Sequence, residues 1–287
     1  MITKQTDPLA SLAGIVEILA CPKCGGAMKI RHLDIACLVC GAVYPICDGV
    51  LLLACMGSVG GTPDEHVAAP TSERYQKKYQ EIQKATLYNE AYEKKLLKRM
   101  STRRECQLLR RLLSGQEHCR VLLDLPCGGG RLSPQISAFT DLIIEADIAK
   151  GQVLYGMRTS SVSVPQVWMT ASVFHIPLQD NTVDGAVCAR LSHHLQTQAE
   201  RERLVTELLR VSRRFVVMSF FAPFSIMDFL RRVRRPFDRT PVKLTMTIKR
   251  LRELARENGA ELIECPPLDL ARFSSGHRYA LIKKNQR

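Results

Sequence analysis

The sequence of 287 residues predicts an α/β fold, in which an open Rossmann-like sheet of seven strands follows a small cysteine-rich module. Three observations support this prediction. An apolar run at residues 121–125 leads into three glycines and a helix-like segment, which is the pattern of a strand, a tight turn and a helix N-terminus. Six more strand-like runs, several of them separated by helical segments, continue to residue 282. Two closely spaced cysteine pairs lie within the first 40 residues.

The composition favours a protein with a large core and acidic partners. Hydrophobic residues make up 46% of the chain, and the formal net charge is +13. Such a charge suits nucleic acid, phosphorylated small molecules or an anionic membrane surface, and it does not choose among them. No apolar run reaches the roughly 20 residues of a membrane span. Residues 9–20 imitate a lipoprotein signal, but Glu17 interrupts the run and Cys21 opens a cysteine pair, so we expect a cytoplasmic protein.

The N-terminal cysteines predict a metal site within residues 1–55. Cys21 and Cys24 form one C-x-x-C-G sequence, and Cys37 and Cys40 form a second after twelve intervening residues. Two such turns supply four thiolates, which complete a tetrahedral Zn²⁺ site. The alternative, a pair of redox dithiols, lacks the βαβ context that those motifs need. Because protein would fill all four positions, we expect the zinc to be structural.

The residues after the second pair carry a resemblance of their own. Residues 43–50 read VYPICDGV, which resembles the YPI-x-DG turn in the zinc-ribbon family of tRNA-methyltransferase activator subunits and their bacterial single-domain relatives. The resemblance covers about residues 19–53. It implies a zinc ribbon that contacts a methyltransferase domain or helps to hold its substrate.

Two segments separate this module from the remainder of the chain. Residues 56–72 contain GSVGG and two prolines, which predict a linker. Residues 73–118 form a helical arm, rich in charged residues and leucine, with a predicted break near Ser101 and Thr102. The arm is either a packed face with solvated lysines or a lid over a ligand, and its cations could also follow a phosphate backbone.

The glycine turn opens the predicted catalytic domain, residues 119–287. Glycine lets the backbone pass close to a ligand, and Asp124 at the strand end could meet a cationic group. Residues 124–130, DLPCGGG, resemble motif I of the class I S-adenosylmethionine (SAM) methyltransferases, (D/E)-x-G-x-G-x-G. Gly128 and Gly130 match this pattern, whereas Pro126 replaces its first glycine. The turn is not the G-x-G-x-x-G of dinucleotide-binding enzymes.

Two downstream segments extend the resemblance. Asp147 ends the second predicted strand, where a carboxylate can accept both hydroxyl groups of a ribose; alternatively, it caps the next helix. The segment from Ser172 to residue 178 resembles the D-A-x-x-L-P-F sequence that holds the adenine in this family. The resemblance implies that Ser172 and Val173 contact the adenine, although Ser172 replaces the common aspartate.

The loop after the fourth predicted strand points to the methyl acceptor. Residues 190–194, RLSHH, resemble the R-x-L-H-H motif of many small-molecule methyltransferases and differ from the N-P-P-Y of enzymes that methylate nucleobase amines. Arg190 is included among the cofactor-binding residues. His193 and His194 are candidate proton acceptors, and the alternative is that they pack beneath the following helix.

A basic insert at residues 225–239 has three possible roles. Its apolar stripe and four adjoining arginines suit a docked helix with a solvated face, a clamp for an anionic substrate, or an interfacial membrane helix.

Together the resemblances identify the chain as a class I SAM-dependent methyltransferase, with SAM as methyl donor and a structural zinc. The acceptor is expected to be a small or lipid-like molecule. Alternatives are an RNA methyltransferase that uses the zinc ribbon and basic surface, and a non-catalytic binding protein with a methyltransferase fold. The predicted SAM-binding residues are Asp124, Pro126, Gly128, Gly130, Asp147, Ser172, Val173 and Arg190.

Overall fold

A computed structural model of the protein describes residues 8–32, 34–54, 78–94, 96–223, 245–268 and 276–285. The predicted linker at 56–72 and the basic insert at 225–239 lie outside these residues. Within them, no helix is long and apolar enough to cross a membrane.

One sheet of eleven strands runs through the described part of the chain, so the predicted number of seven is wrong. In chain order the strands are β1 (Met28–Arg31), β2 (Asp34–Cys37), β3 (Val43–Cys47), β4 (Val50–Leu52), β5 (Cys119–Asp124), β6 (Thr140–Asp147), β7 (Gln166–Thr170), β8 (Val183–Cys188), β9 (Ser212–Phe221), β10 (Ala260–Glu264) and β11 (His277–Lys284).

The helices flank this sheet. They are α1 (Pro8–Ala13), α2 (Ile82–Lys94), α3 (Leu96–Ser114), α4 (Ser133–Ile136), α5 (Lys150–Thr159), α6 (Gln198–Val211) and α7 (Ile248–Glu257).

The strand order is β1-β2-β3-β4-β7-β6-β5-β8-β9-β11-β10. The seven predicted strands are β5 to β11, and they occupy one uninterrupted block of the sheet. From β4 to β9 neighbouring strands are parallel, whereas β11 is antiparallel to β9. The chain places β6 and β7 on one side of β5 and then β8 and β9 on the other. The switch point, where open α/β sheets bind ligands, therefore lies between β5 and β8.

The four additional strands come from the N-terminal module. β4 pairs in parallel with β7, through Leu51 opposite Met169 and Leu52 opposite Thr170. Leu51 is buried, and the β4 backbone pairs with an edge of β7 that would otherwise be unpaired. Sequence patterns alone predict strands but not such long-range pairings, which is why the prediction stopped at seven.

A second contact joins the module to the loop after β7. The amide of Ala20 donates to the carbonyl of Pro177 at 3.1 Å, and the amide of Gln179 donates to the carbonyl of Ile18 at 2.9 Å. Leu19 lies in the same apolar cluster as Leu178. The backbone immediately before the first cysteine pair is therefore fixed to the methyltransferase-like part of the sheet.

The arm contains two helices, but the predicted break near Ser101 and Thr102 is wrong because both residues lie inside α3. Hydroxyl side chains often compete with helical backbone hydrogen bonds. Here the Ser101 hydroxyl instead accepts a hydrogen bond from Arg190 at 3.1 Å. The helix can therefore continue through this pair.

Candidate active site

A pocket lies at the carboxyl ends of the parallel strands. The loops after β5, β6, β7 and β8 form most of its wall, and α2 of the arm adds Tyr88 and Asn89. Segments that are far apart in the sequence meet here because parallel strands end at the same edge of the sheet.

Most residues that the sequence predicted to bind the cofactor or act in catalysis belong to this wall. The wall contains Pro126, Gly128, Asp147, Ser172, Val173, Arg190 and His194, and it omits Asp124, Gly130 and His193.

The glycine turn places two glycines in different roles. Gly128 has φ +55° and open space where a Cβ would stand, so the backbone faces the pocket directly. Gly130 has φ +73°, and a Cβ there would lie 3.2 Å from the Trp168 ring. Gly130 thus allows the turn to pack against the protein, while Gly128 leaves room for a ligand.

Asp147 connects this turn to the end of β6. Its buried carboxylate accepts hydrogen bonds from the amide of Gly128 at 3.1 Å and from the amide of Ala149 at 2.9 Å. Burial raises the pKa of Asp147 to about 6, although these backbone amides favour the ionised form. The side chain thus supports the start of α5 and also lies in the pocket wall.

The predicted adenine segment is fixed from behind. The amide of Phe174 donates to the Ser172 hydroxyl at 3.3 Å, and Val173 is buried in the pocket wall. The amide of Ile176 donates to Glu207 of α6 at 3.0 Å. This segment therefore keeps its shape through contacts on the side away from the pocket.

Asp124 lies fully buried in the protein interior and is not part of the pocket wall, although its carboxyl group interacts electrostatically with Arg131. Neither of its carboxyl oxygens has a hydrogen-bond partner in the described residues. Burial, followed by repulsion from Glu145, raises its pKa well above the usual range. Asp124 lies opposite Glu145 on the neighbouring strand, and Glu145 accepts a hydrogen bond from Gln166 at 2.9 Å.

The two histidines are not equivalent. His194 is exposed and lines the pocket, whereas His193 is only partly exposed and lies outside its wall. The His193 ring packs 4.1 Å from the His194 ring and 4.8 Å from the Phe221 ring, between centroids. Of the two rings, His194 lines the pocket and His193 packs against it.

The arm packs directly on the glycine turn. A Cβ added to Gly129 would lie 2.7 Å from the Asn89 side chain, whose amide nitrogen donates to Gln152 at 2.8 Å. A Cβ on Gly151 would lie 2.4 Å from the carbonyl oxygen of Tyr79. These contacts favour the lid interpretation of the arm. Asn89 was not predicted from the sequence. The signal that could have indicated a close neighbour was Gly129, the middle glycine of the turn, where a Cβ would meet the Asn89 side chain.

Arg131 was also missed, although it follows the glycine turn directly. Arg131 and Arg190 both line the pocket and both form ion pairs with Glu105 of α3. The Arg190 backbone has φ +59°, and its amide donates to the Ser219 hydroxyl at 2.7 Å. Local sequence offered no signal for Glu105, because it looks like one more charge on a charged helix.

The N-terminal cysteines come together as predicted. Their four sulfur atoms lie within 4.8 Å of one another. A tetrahedral ion with Zn–S bonds of about 2.3 Å needs sulfur atoms about 3.8 Å apart. Two of the sulfur pairs are at 3.7 and 3.5 Å, so the donor set fits a zinc ion. The cluster consists of Cys21, Cys24, Cys37 and Cys40.

Comparisons with known proteins agree with the fold. Residues 123–217 match a family model described as a methyltransferase domain. No curated protein matches the sequence. Magnesium protoporphyrin IX methyltransferase from Synechocystis PCC 6803 is a structural neighbour in its S-adenosylhomocysteine (SAH) complex, with a TM-score of 0.61 and 13% identity. The alignment covers 74% of this chain and 99% of that one.

Two further solved structures have the same fold. The SAM complex of the Synechocystis enzyme gives a TM-score of 0.55 at 14% identity, covering 77% of this chain and all of that one. A SAM-dependent methyltransferase from Leishmania major gives 0.54 at 12% identity, covering 75% and 81%. Residues 123–217 thus form a methyltransferase domain, and the protein is an enzyme, as predicted.

The buried carboxyl group of Glu145 predicts a pH-dependent stability. Burial raises its pKa from 4.5 to about 7. Between pH 4.5 and 7 the folded state therefore binds more protons than the unfolded chain. The stability that protonated Glu145 contributes is fully present below about pH 4.5 and is lost as the pH rises through 7. When the pH is lowered from about 7.5 to 5.5, the free energy of unfolding measured with urea should rise by about 1–2 kcal/mol more for the wild type than for Glu145→Gln.

Glu261→Gln is the matched control, because this carboxylate lies on another strand of the sheet and is exposed. It should follow the wild type at both pH values. Equal pH responses of the wild type and Glu145→Gln would contradict the assignment.

Proposed function

We propose that SAM binds in this pocket across the glycine turn and donates its methyl group towards the loop at residues 190–194. The observation that supports this most directly is the position of Asp147 between the glycine turn and the adenine segment. In the proposal Asp147 accepts hydrogen bonds from the ribose hydroxyls, while Ser172 and Val173 contact the adenine. Gly128 and Pro126 border the sulfonium, and the absence of a Cβ at Gly128 leaves room for it.

The acceptor in this proposal is a small or lipid-like organic molecule. The pocket beyond the glycine turn has apolar walls from Leu191 and Leu195, and Tyr88 of the arm borders it as well. A site covered by an arm helix suits a molecule that can enter it completely. The Synechocystis neighbour acts on a porphyrin, which is also a small molecule. Its sequence identity of 13% is too low to assign the same substrate to this protein.

His194 is the proposed candidate for taking a proton from the acceptor. It is the histidine of the pair that lines the pocket, and imidazole titrates near neutral pH. Methyl transfer from a sulfonium is an in-line displacement in which positioning contributes most of the rate, so we assign His194 an accelerating role and not an indispensable one.

The test of the cofactor site is the substitution Asp147→Asn. It keeps the shape of the side chain but removes the charge that strengthens hydrogen bonds to the ribose, so SAM should bind about 10–100-fold more weakly. Isothermal titration calorimetry of SAM and SAH would measure this.

Asp141→Asn is the control for that measurement, since Asp141 lies on the same strand at its other end with a mostly exposed side chain. Its affinity for SAM should equal that of the wild type. If the wild type failed to bind SAM, or if both variants weakened binding equally, the proposed site would be wrong.

The chemical class of the methyl acceptor can be determined by following a radioactive methyl group from SAM into its product. With methyl-labelled SAM and fractionated cell extract, label should enter small organic-soluble molecules, and His194→Asn should slow this transfer roughly tenfold without changing SAM affinity. The exposed His175 lies outside the pocket wall, so His175→Asn should match the wild type. Label that appeared in RNA or protein would reject the small-molecule proposal.

We also propose that the four-cysteine cluster binds a structural zinc ion within a ribbon like that of the activator subunits. Cys21 directly follows residues 18–20, which contact the loop after β7. Zinc would therefore stabilise the same loop that leads from the adenine segment. In this proposal the module serves the catalytic domain of its own chain.

Removal of the metal should weaken both stability and cofactor binding. Cys24→Ser, or treatment with a chelator, should lower the zinc content from about one ion per chain and should reduce the melting temperature by several degrees. SAM affinity should fall as a consequence. Elemental analysis, calorimetry and thermal unfolding would check this.

Cys47→Ser is the matched control, because Cys47 lies in the same module but outside the four-cysteine cluster. It should retain zinc. A purified protein that contained no zinc and lost no stability with chelator would contradict the metal assignment.

A further inference from the structure

Glu105 of α3 is a buried carboxylate that contacts two arginines of the pocket. One oxygen, Oε2, lies 2.7 Å from Nη1 of Arg131 and 2.9 Å from Nη2 of Arg190. The other, Oε1, accepts hydrogen bonds from Nε of Arg190 at 3.0 Å and from the Tyr279 hydroxyl at 2.5 Å. Arg190 therefore meets the carboxylate with two nitrogens, which fixes the plane of its guanidinium group.

The charges of this cluster do not cancel. Burial alone would raise the pKa of Glu105, but attraction to Arg131 and Arg190 and hydrogen bonds from Arg190 and Tyr279 lower it to about 2. Glu105 is therefore ionised and offsets one of the two guanidinium charges. Attraction to Arg131 also lowers the pKa of Asp124, but burial and repulsion from Glu145 raise it well above the usual range. Among Glu105, Arg131 and Arg190 the formal charges sum to +1.

Arg131 and Arg190 lie away from the residues proposed to contact the adenosine part of SAM. Arg131 follows the glycine turn after β5, and Arg190 follows β8. The proposed ribose and adenine contacts follow β6 and β7, on the other side of β5 in the sheet. The arginines therefore lie at the end of the pocket where the amino-acid part of SAM would meet the acceptor.

The surrounding contacts orient the arginine side chains without depending on the ligand. One turn of α3 supplies the Ser101 hydroxyl to Arg190 at 3.1 Å and the Thr102 hydroxyl to Arg131 at 3.5 Å. The Arg190 backbone is fixed separately through its bond to Ser219. A substitution at Glu105 should therefore change the direction of the guanidinium groups more than the course of the loop.

We propose that Glu105 is a positioning residue that holds Arg131 and Arg190 as a binding site for a carboxylate. Planar guanidinium groups recognise carboxylates with paired hydrogen bonds, and a fixed orientation reduces the entropy lost on binding. The inference rests on the proposed SAM site. The carboxylate belongs either to the amino-acid end of SAM or to the methyl acceptor.

The test compares SAM with decarboxylated SAM, which lacks that group. In the wild type, loss of the carboxylate should weaken binding at least tenfold if SAM is its source. The ratio of the affinity for SAM to the affinity for decarboxylated SAM should approach one in Glu105→Gln and in Arg190→Lys. The Arg190→Lys variant keeps the positive charge but loses the paired nitrogen donors of the guanidinium group. Glu117→Gln, which removes an exposed carboxylate just beyond α3, should keep the wild-type ratio.

A second assay covers the acceptor as source. Small molecules from a cell extract are divided on an anion-exchange resin, and each fraction is incubated with labelled SAM and enzyme. If the acceptor carries the carboxylate, label should enter compounds of the retained fraction, and this transfer should fall at least tenfold in Glu105→Gln and Arg190→Lys. The affinity ratio for the two cofactors would then be the same in all variants.

Either result supports the inference and names the source of the carboxylate. If both variants kept the wild-type ratio and the wild-type transfer, and differed only in melting temperature, Glu105 would be a structural ion-pair partner and the inference would be wrong. A wild type that does not bind SAM would instead reject the proposed function itself. The two failures are therefore distinguishable.

Discussion

The pocket depends on the hydrogen bonds that the Asp147 carboxylate accepts from the amides of Gly128 and Ala149. These bonds join the turn after β5 to the end of β6 and to the start of α5. The burial that raises the pKa of this carboxyl also excludes water, which makes each remaining hydrogen bond stronger. The other walls of the pocket, from β7, β8 and the arm, are placed around this junction.

Sequence patterns were informative wherever the signal is local. The seven strands of the catalytic part, the glycine turn and the two cysteine pairs each depend on residues within a few positions of one another. The prediction failed where distant segments meet. The pairing of β4 with β7 joins residues more than a hundred positions apart, and no periodicity of either segment encodes it.

The same distinction explains the candidate site. The places of Gly128, Asp147 and Ser172 in the pocket wall could be predicted because each lies at the end of a recognisable strand or within four residues after it. Glu105 could not, since its partners lie up to 174 positions away and nothing in its helix distinguishes it from the surrounding charges. Asp124 was expected to meet a cation because of its position at a strand end. Arg131 does attract its carboxyl group, but burial has the larger effect and raises its pKa well above the usual range. Burial, and not position along the strand, decides its role.

The parallel pairing of β4 with β7 has a consequence for how far the catalytic part can be separated from the N-terminal module. A recombinant fragment that began after residue 118 would contain the whole matched domain, yet it would leave one side of β7 without a neighbour and uncover the leucines and isoleucines now beneath that module. Unpaired strand edges beside bare apolar surface promote self-association. The shortest fragment of this enzyme that stays in solution is therefore expected to include the N-terminal module and to extend well beyond the matched domain at residues 123–217.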